Sequence, residues 1–139
     1  MSGINVPRWL AGGVVAGVVI FILEVLAMPL YMDVMQSRLT ELGLSMQLDA
    51  GAYALGAVTT LLVGVVLIFF YAASRTRFGA GVRTALIVSV VFYAGAFLPL
   101  MINYRMIGLY SDHLLALWCV QGLIETVIAG VAGAWVYRE

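Results

Sequence analysis

The chain has 139 residues, of which 64% are hydrophobic and 10% charged, and its formal net charge is zero. Ordinary soluble domains carry roughly 45–50% apolar and about 25% charged residues, so this composition excludes a soluble globular enzyme and a disordered tail. All seven basic residues are arginines, and they form no basic stripe, which excludes a nucleic-acid-binding protein. The single cysteine, Cys119, and the single histidine, His113, exclude an internal disulfide, a CxxC motif and a bis-histidine haem within one chain.

Four apolar stretches are long enough to cross a bilayer, which takes about 20 residues at 1.5 Å per residue. We predict membrane spans at about 9–31, 50–73, 82–104 and 113–137. The first span carries Glu24 and is too long for the apolar core of a signal peptide, so we expect it to be retained. The links at 74–81 and 105–112 are short and place consecutive helices as antiparallel neighbours. The predicted fold is therefore an all-α, antiparallel bundle of four transmembrane helices in a single membrane domain, 1–139.

The segment at 32–49, between the first two spans, is longer than the other links. Within it, Met35, Leu39, Leu42 and Met46 recur at helical spacing, which favours a short amphipathic helix on the outer surface or an extension of the first span. A solvated loop with scattered methionines is the alternative.

Charged residues sort to opposite sides of the four-span arrangement. The arginines on the side of the two termini are Arg8, Arg75, Arg77, Arg83 and Arg138. The other side carries Arg38 and Arg105 and four acids, Asp33, Glu41, Asp49 and Asp112. Because cytoplasmic loops carry the excess of basic residues, we predict that both termini are cytoplasmic.

Small residues recur within the spans and predict close helix packing, because lipid tails are as apolar as leucine and burial of leucine cannot hold a bundle together. The candidate packing residues are Gly13, Gly17, Gly56, Gly64, Gly130 and Gly133. Docking of one such stripe against a partner protein is the alternative. Aromatic residues at the span ends, among them Trp9 and Tyr31, fit an interfacial belt.

Two carboxylic acids lie inside the spans, and a group of polar side chains shares their depth. Counting from the span ends at 1.5 Å per residue places these side chains in a slab roughly 7–8 Å thick to which all four spans contribute. The predicted layer consists of Glu24, Thr59, Thr60, Tyr93, Gln121 and Glu125.

No arginine lies near this depth, so Glu24 and Glu125 have no cationic partner inside the membrane within this chain. Desolvation then favours the neutral acids, which can share a proton and bond Gln121 across helices. Intramembrane ionisable groups are also functional-site candidates by default. Three interpretations stay open: structural bonding between helices, a site for a proton or cation, and a contact with a ligand, pigment or partner subunit.

The remaining candidates do not indicate chemistry. His113 lies at the end of a span, where an interfacial role is favoured over ligation of a metal or pigment. No catalytic triad, HExxH motif, phosphate loop or dinucleotide fingerprint is present. We therefore expect no enzymatic activity, no cofactor and no metal.

The fourth span resembles the last helix of a group of small, uncharacterised four-span bacterial membrane proteins. The matching residues are Trp118, Gly122, Glu125, the run 128–130 and the pair 137–138, and the first span adds a glutamate, Glu24, followed by Tyr31. That group has no assigned activity, so the resemblance implies the fold and the two glutamates but no function. Its members often carry a histidine after the first glutamate, where this chain has Ala27 and Met28, which counts against a metal or pigment site there.

Glu24 in the first of four spans is also similar to the glutamate of small multidrug resistance transporters. Those chains are shorter and lack a second deep acid and a long outer segment.

The leading functional prediction is a non-enzymatic accessory or interaction subunit of a larger membrane complex, whose partners are lipids and other subunits or further copies of itself. The alternative is a small proton- or cation-coupled transporter that uses Glu24 and Glu125. With the resemblance to bacterial membrane proteins, the expected location is the inner membrane of a bacterial cell.

Overall fold

A computed structural model describes residues 4–46 and 48–137 of the chain. This part is built of helices and contains no strand. The helices are α1 (Val6–Ala27, extended by a 3₁₀ turn at Met28–Leu30), α2 (Met32–Glu41), α3 (Ala50–Phe78), α4 (Val82–Met106, with a π-helical turn at Tyr93–Phe97) and α5 (Asp112–Val136). Four of them, α1, α3, α4 and α5, are long and apolar enough to cross a membrane, which confirms the predicted all-α fold with four spans.

Short polar side chains define where three of the spanning helices begin. The Asn5 side chain accepts a hydrogen bond from the backbone N–H of Arg8 at 3.2 Å, and Asp49 accepts one from Ala52 at 2.8 Å. Ser111 accepts one from Leu114 at 3.3 Å. Each side chain satisfies a backbone donor that the first helical turn leaves without a partner.

Helix α3 is longer than its predicted span because the stretch from Ser74 continues as helix as far as Phe78. The link to α4 is therefore a tight turn of three residues, 79–81, instead of the predicted loop at 74–81. Gly79 and Gly81 have φ angles of 84° and 129°, which glycine adopts without strain, so they allow the chain to reverse within this length.

A helix is present over Met32–Glu41, within the segment predicted to form one, so the solvated-loop alternative is wrong there. Leu42 and Met46, expected on its apolar face, lie beyond its end, because Gly43 has a φ of 71° and terminates the helix. Arg38 fixes α2 to the link between α4 and α5. Its guanidinium donates to the carbonyl of Gly108 at 2.8 Å and to that of Leu109 at 3.1 Å.

Helices α1 and α3 cross with their backbones in direct contact, and glycines make this approach feasible. A methyl group on Gly13 would lie 2.6 Å from Cα of Val65, and one on Gly17 would lie 2.5 Å from Cα of Leu61. A methyl group on Gly64 would overlap the backbone of both Gly13 and Gly17. Three of the predicted packing glycines therefore meet at one crossing.

Helix α5 packs on α1 and α4 through two further glycines. A methyl group on Gly133 would lie 2.6 Å from the carbonyl oxygen of Gly12 in α1, and one on Gly130 would overlap the hydroxyl of Ser89 in α4. Gly56 differs from these residues. A methyl group there would meet no atom within 4 Å, so the expectation that Gly56 packs against a neighbouring helix of this chain is wrong.

The arginines of the spanning helices lie in terminal turns, at the two ends of the bundle. Four arginines, Arg8, Arg75, Arg77 and Arg83, lie in terminal turns at one end. The opposite end, called the α2 end below, carries α2 and the first turns of α3 and α5. Arg138, counted in the predicted sorting, lies outside the described residues.

Candidate functional site

A proline corner at the end of α1 brings Tyr31 back onto Glu24. Pro29 has no N–H to continue the helix, and its ring is incompatible with the carbonyl four residues earlier, so regular helix ends at Ala27 and a 3₁₀ turn follows. Tyr31 stands immediately after this turn and is only 4% exposed. Its hydroxyl donates a hydrogen bond to one carboxyl oxygen of Glu24.

Gln121 of α5 joins two carboxyl groups through one amide nitrogen. Its Nε2 donates to Oε2 of Glu24 at 3.0 Å and to Oε1 of Glu125 at 2.9 Å. Gln121 and Glu125 are four residues apart and therefore lie on one face of α5. Together with Tyr31 they form a connected set of four side chains, Glu24, Tyr31, Gln121 and Glu125, called the acid network below.

None of the described basic side chains lies at the depth of the acid network. Glu125 is only 7% exposed. The arginines of the described spanning helices stand in their first or last turns, and no salt bridge joins a described basic residue to Glu24 or Glu125. Two ionised carboxylates here would repel each other and lose their hydration, so a pair that retains a proton is favoured.

The number of hydrogen-bond donors within the acid network also favours a proton on one of the two acids. The Tyr31 hydroxyl and the Gln121 amide nitrogen supply all the donor hydrogens of these bonds, whereas the two carboxyl groups and the Gln121 amide oxygen are acceptors. That amide oxygen is buried and has no hydrogen-bond partner among the residues described. A proton on one of the two acids adds a donor where acceptors are in excess.

Tyr31 stays a donor over the physiological pH range. Burial, reinforced by the adjacent Glu24, raises the pKa of the Tyr31 phenol above its usual value. Tyr31 was expected in the interfacial belt and, with Glu24, as a matching residue of the resemblance, but its bond to Glu24 was not predicted. A seven-residue spacing corresponds to about two turns of continuous helix, but the helix is interrupted at Pro29, so the spacing from Glu24 alone did not reveal this bond.

An array of aromatic rings extends from the acid network toward the α2 end. The ring centroids of Tyr31 and Trp118 are 5.6 Å apart, those of Trp118 and Tyr110 are 4.9 Å apart, and those of Tyr110 and Tyr104 are 5.5 Å apart. Each pair packs edge to face, the arrangement that the ring quadrupoles prefer. This array places Tyr31 by packing on its ring as well as through its hydroxyl.

The predicted threonines form hydrogen bonds within their own helix. The hydroxyl of Thr59 donates to the carbonyl of Leu55 at 2.9 Å, and that of Thr60 donates to the carbonyl of Ala57 at 3.0 Å. Threonine hydroxyls often bond a carbonyl about one turn earlier in a helix. The acid network therefore draws on α1, the corner after it and α5, and not on all four spans as expected.

Tyr93 links α4 to α5 at a point separate from the acid network. Its hydroxyl donates to the carbonyl of Cys119 at 2.8 Å. Tyr93 begins the π-helical turn of α4, where the N–H of Leu98 bonds the Tyr93 carbonyl. Pro99 follows, and because it cannot donate to the carbonyl of Gly95, a local change of helical register relieves the conflict.

An open groove of about 540 Å³ runs between α1 and α5 beside the acid network. Glu125 and Gln121 line one end of this groove, and His113, which is exposed near the start of α5, lines the other. The rest of the lining is apolar and consists of Leu23, Ala27, Leu30, Ala116, Leu117, Val120 and Ile124. Within the described ranges, no group of three or more histidine, cysteine or acidic residues is placed to hold a metal ion.

No protein-family model, curated protein or solved structure matches this chain. The acid network and the groove are therefore interpreted from their own geometry.

Proposed function

We propose that this chain is a non-enzymatic integral membrane protein that acts as an accessory or interaction subunit of a larger membrane complex. The proposed location is the inner membrane of a bacterial cell, with both termini in the cytoplasm. The observation that carries the proposal is the position of the acid network. It joins α1 to α5 and leaves Glu125 at one end of an apolar groove that faces sideways from the bundle.

The exposure of the groove lining supports a lateral contact. Leu30 is 69% exposed, Val120 is 62% exposed and Ile124 is 52% exposed. These side chains project from the two helices that the acid network joins, so a protein docked here would contact the most polar part of the bundle interior. Helix–helix association in membranes relies on close packing and on polar contacts across the interface, and this face offers both.

Site-specific photo-crosslinking in the native membrane tests the interaction role. A photoreactive residue replaces Val120 beside the groove, and a matched control replaces Leu62, which is 61% exposed on α3. We expect a discrete crosslinked product with one membrane protein from position 120 and none from position 62. Crosslinks to lipid alone from both positions would contradict the proposed role.

A proton- or cation-coupled transporter is the second candidate function. The observation that favours it is the pair of carboxyl groups beside an open groove, for which the described residues supply no basic partner. In vesicles that contain the purified protein and an internal pH-sensitive dye, the proton-coupled form of this function requires a proton flux that Glu24→Gln and Glu125→Gln abolish. Flux that is absent, or unchanged in both variants, would reject it.

A further inference from the structure

We infer that the groove between α1 and α5 receives a transmembrane helix of a partner protein that carries an arginine or lysine at the depth of Glu125. The inference rests on the proposed interaction role and specifies the chemistry of the partner.

The groove has the direction and length that suit a helix. On α5 it extends from His113 to Glu125, which corresponds to about 18 Å along the axis at 1.5 Å per residue. On α1 it is lined by Leu23, Ala27 and Leu30, which recur at helical spacing along one face. An elongated, laterally open surface of this kind runs parallel to the helices that border it.

The lining suits a helix better than a small molecule. Sites for small ligands typically enclose about 70–90% of the ligand surface, which a groove bordered by residues as exposed as Leu30 and Val120 does not provide. Ala27 and Ala116 lie on the two sides of the groove. Small residues in such positions let the backbones of neighbouring helices approach closely.

The charge at the deep end specifies what the partner helix carries. Glu125 lines the groove, and the bonds through Gln121 couple it to Glu24. A cation from a partner would pair with this carboxyl group and offset its desolvation, as ionisable groups inside membranes commonly pair with one another. An arginine can donate two parallel hydrogen bonds to one carboxylate, which would also fix the depth of the partner helix.

The test uses a synthetic transmembrane helix of leucines with one central arginine and a second peptide with leucine in its place. Binding of each peptide to the full-length protein is measured by fluorescence energy transfer in phosphatidylcholine vesicles. We expect the arginine peptide to bind about tenfold more tightly than the leucine peptide, the scale of a polar contact between membrane helices. Glu125→Gln should remove this difference.

Two further variants control the interpretation. Ala116→Phe fills the groove at an exposed position and should weaken binding of both peptides. Asp33→Asn removes an exposed acid of α2 that does not line the groove, and it should change neither affinity. Because the comparison of the two peptides needs only the wild-type protein, it remains decisive if Glu125→Gln does not fold.

Equal affinity for the two peptides would overturn the inference, and so would an arginine preference that Glu125→Gln leaves intact. Binding of a lipophilic amine at the groove without binding of either peptide would also overturn it and identify a small-cation site. A crosslink from position 120 combined with equal peptide affinities would refute this partner chemistry while leaving the interaction role supported. Tighter binding of the arginine peptide without a crosslink from position 120 would refute the interaction role in the cell.

Discussion

Replacing Gly64 with alanine tests the close crossing of α1 and α3. The added methyl group would overlap the backbone of Gly13 and Gly17, and neither backbone segment can move without shifting the whole of α1. Since a rotamer change cannot relieve this overlap, the two helices must separate. Adding a single methyl group to a well-packed interior typically costs about 1–3 kcal/mol, and we expect Gly64→Ala to reach the upper half of that range.

Gly56→Ala is the matched control, because it is the same substitution in the same helix. A methyl group at Gly56 would meet nothing within 4 Å, so we expect Gly56→Ala to cause no loss in the free energy of unfolding and to gain up to about 1 kcal/mol from the higher helix propensity of alanine. The contrast between the two variants isolates the crossing from any change in helix propensity, which both variants share.

The free energy of unfolding can be measured by titrating sodium dodecyl sulfate into mixed micelles and following tryptophan fluorescence. Trp9 reports on this crossing, because its indole N–H donates to the carbonyl of Val65 at 2.7 Å. Equal stability of Gly64→Ala and Gly56→Ala would refute the assignment of Gly64 to a backbone contact.

Two other predictions concern single hydroxyl groups. The pKa of Tyr31 is raised in the folded protein, so its contribution to stability is present below about pH 10 and is lost as the pH rises through the raised value. The phenolate absorbance step that Tyr31→Phe removes should therefore lie above pH 10, and a step at the usual tyrosine value would contradict burial against Glu24. Tyr93→Phe should lower the free energy of unfolding by about 0.6–1.7 kcal/mol, because the bond to the Cys119 carbonyl joins two helices. Thr59→Val, which removes a bond within one helix, should cost less than about 0.5 kcal/mol, and equal losses would contradict this distinction.

The four spans could be predicted from the sequence because length and apolarity alone decide whether a helix can cross a bilayer. Which glycines pack could not be predicted in the same way. Gly56 and Gly64 have the same residue type on the same helix, but eight residues correspond to a rotation of about 80° beyond two full turns. A methyl group on Gly64 meets the backbone of α1, whereas one on Gly56 meets no neighbouring helix, and only the packed bundle reveals this difference.

The acid network was predictable in part for a similar reason. The four-residue spacing placed Gln121 and Glu125 on one face, and depth counting placed Glu24 near them. Depth alone gives no direction around the helix axis, so it did not distinguish these residues from Thr59, whose hydroxyl is satisfied within its own helix. The role of Tyr31 depends on how Pro29 turns the chain. The presence of a tyrosine in the aromatic belt at the span end does not reveal that turn.

A double-mutant cycle between Glu24 of α1 and Gln121 of α5 tests the central claim most directly, namely that the acid network joins these two helices. The free energy of unfolding is measured for the wild type, Glu24→Ala, Gln121→Ala and the double variant. The bond between Gln121 Nε2 and Glu24 Oε2 at 3.0 Å predicts a favourable coupling energy of about 0.6–1.7 kcal/mol. A coupling energy indistinguishable from zero would contradict the claim.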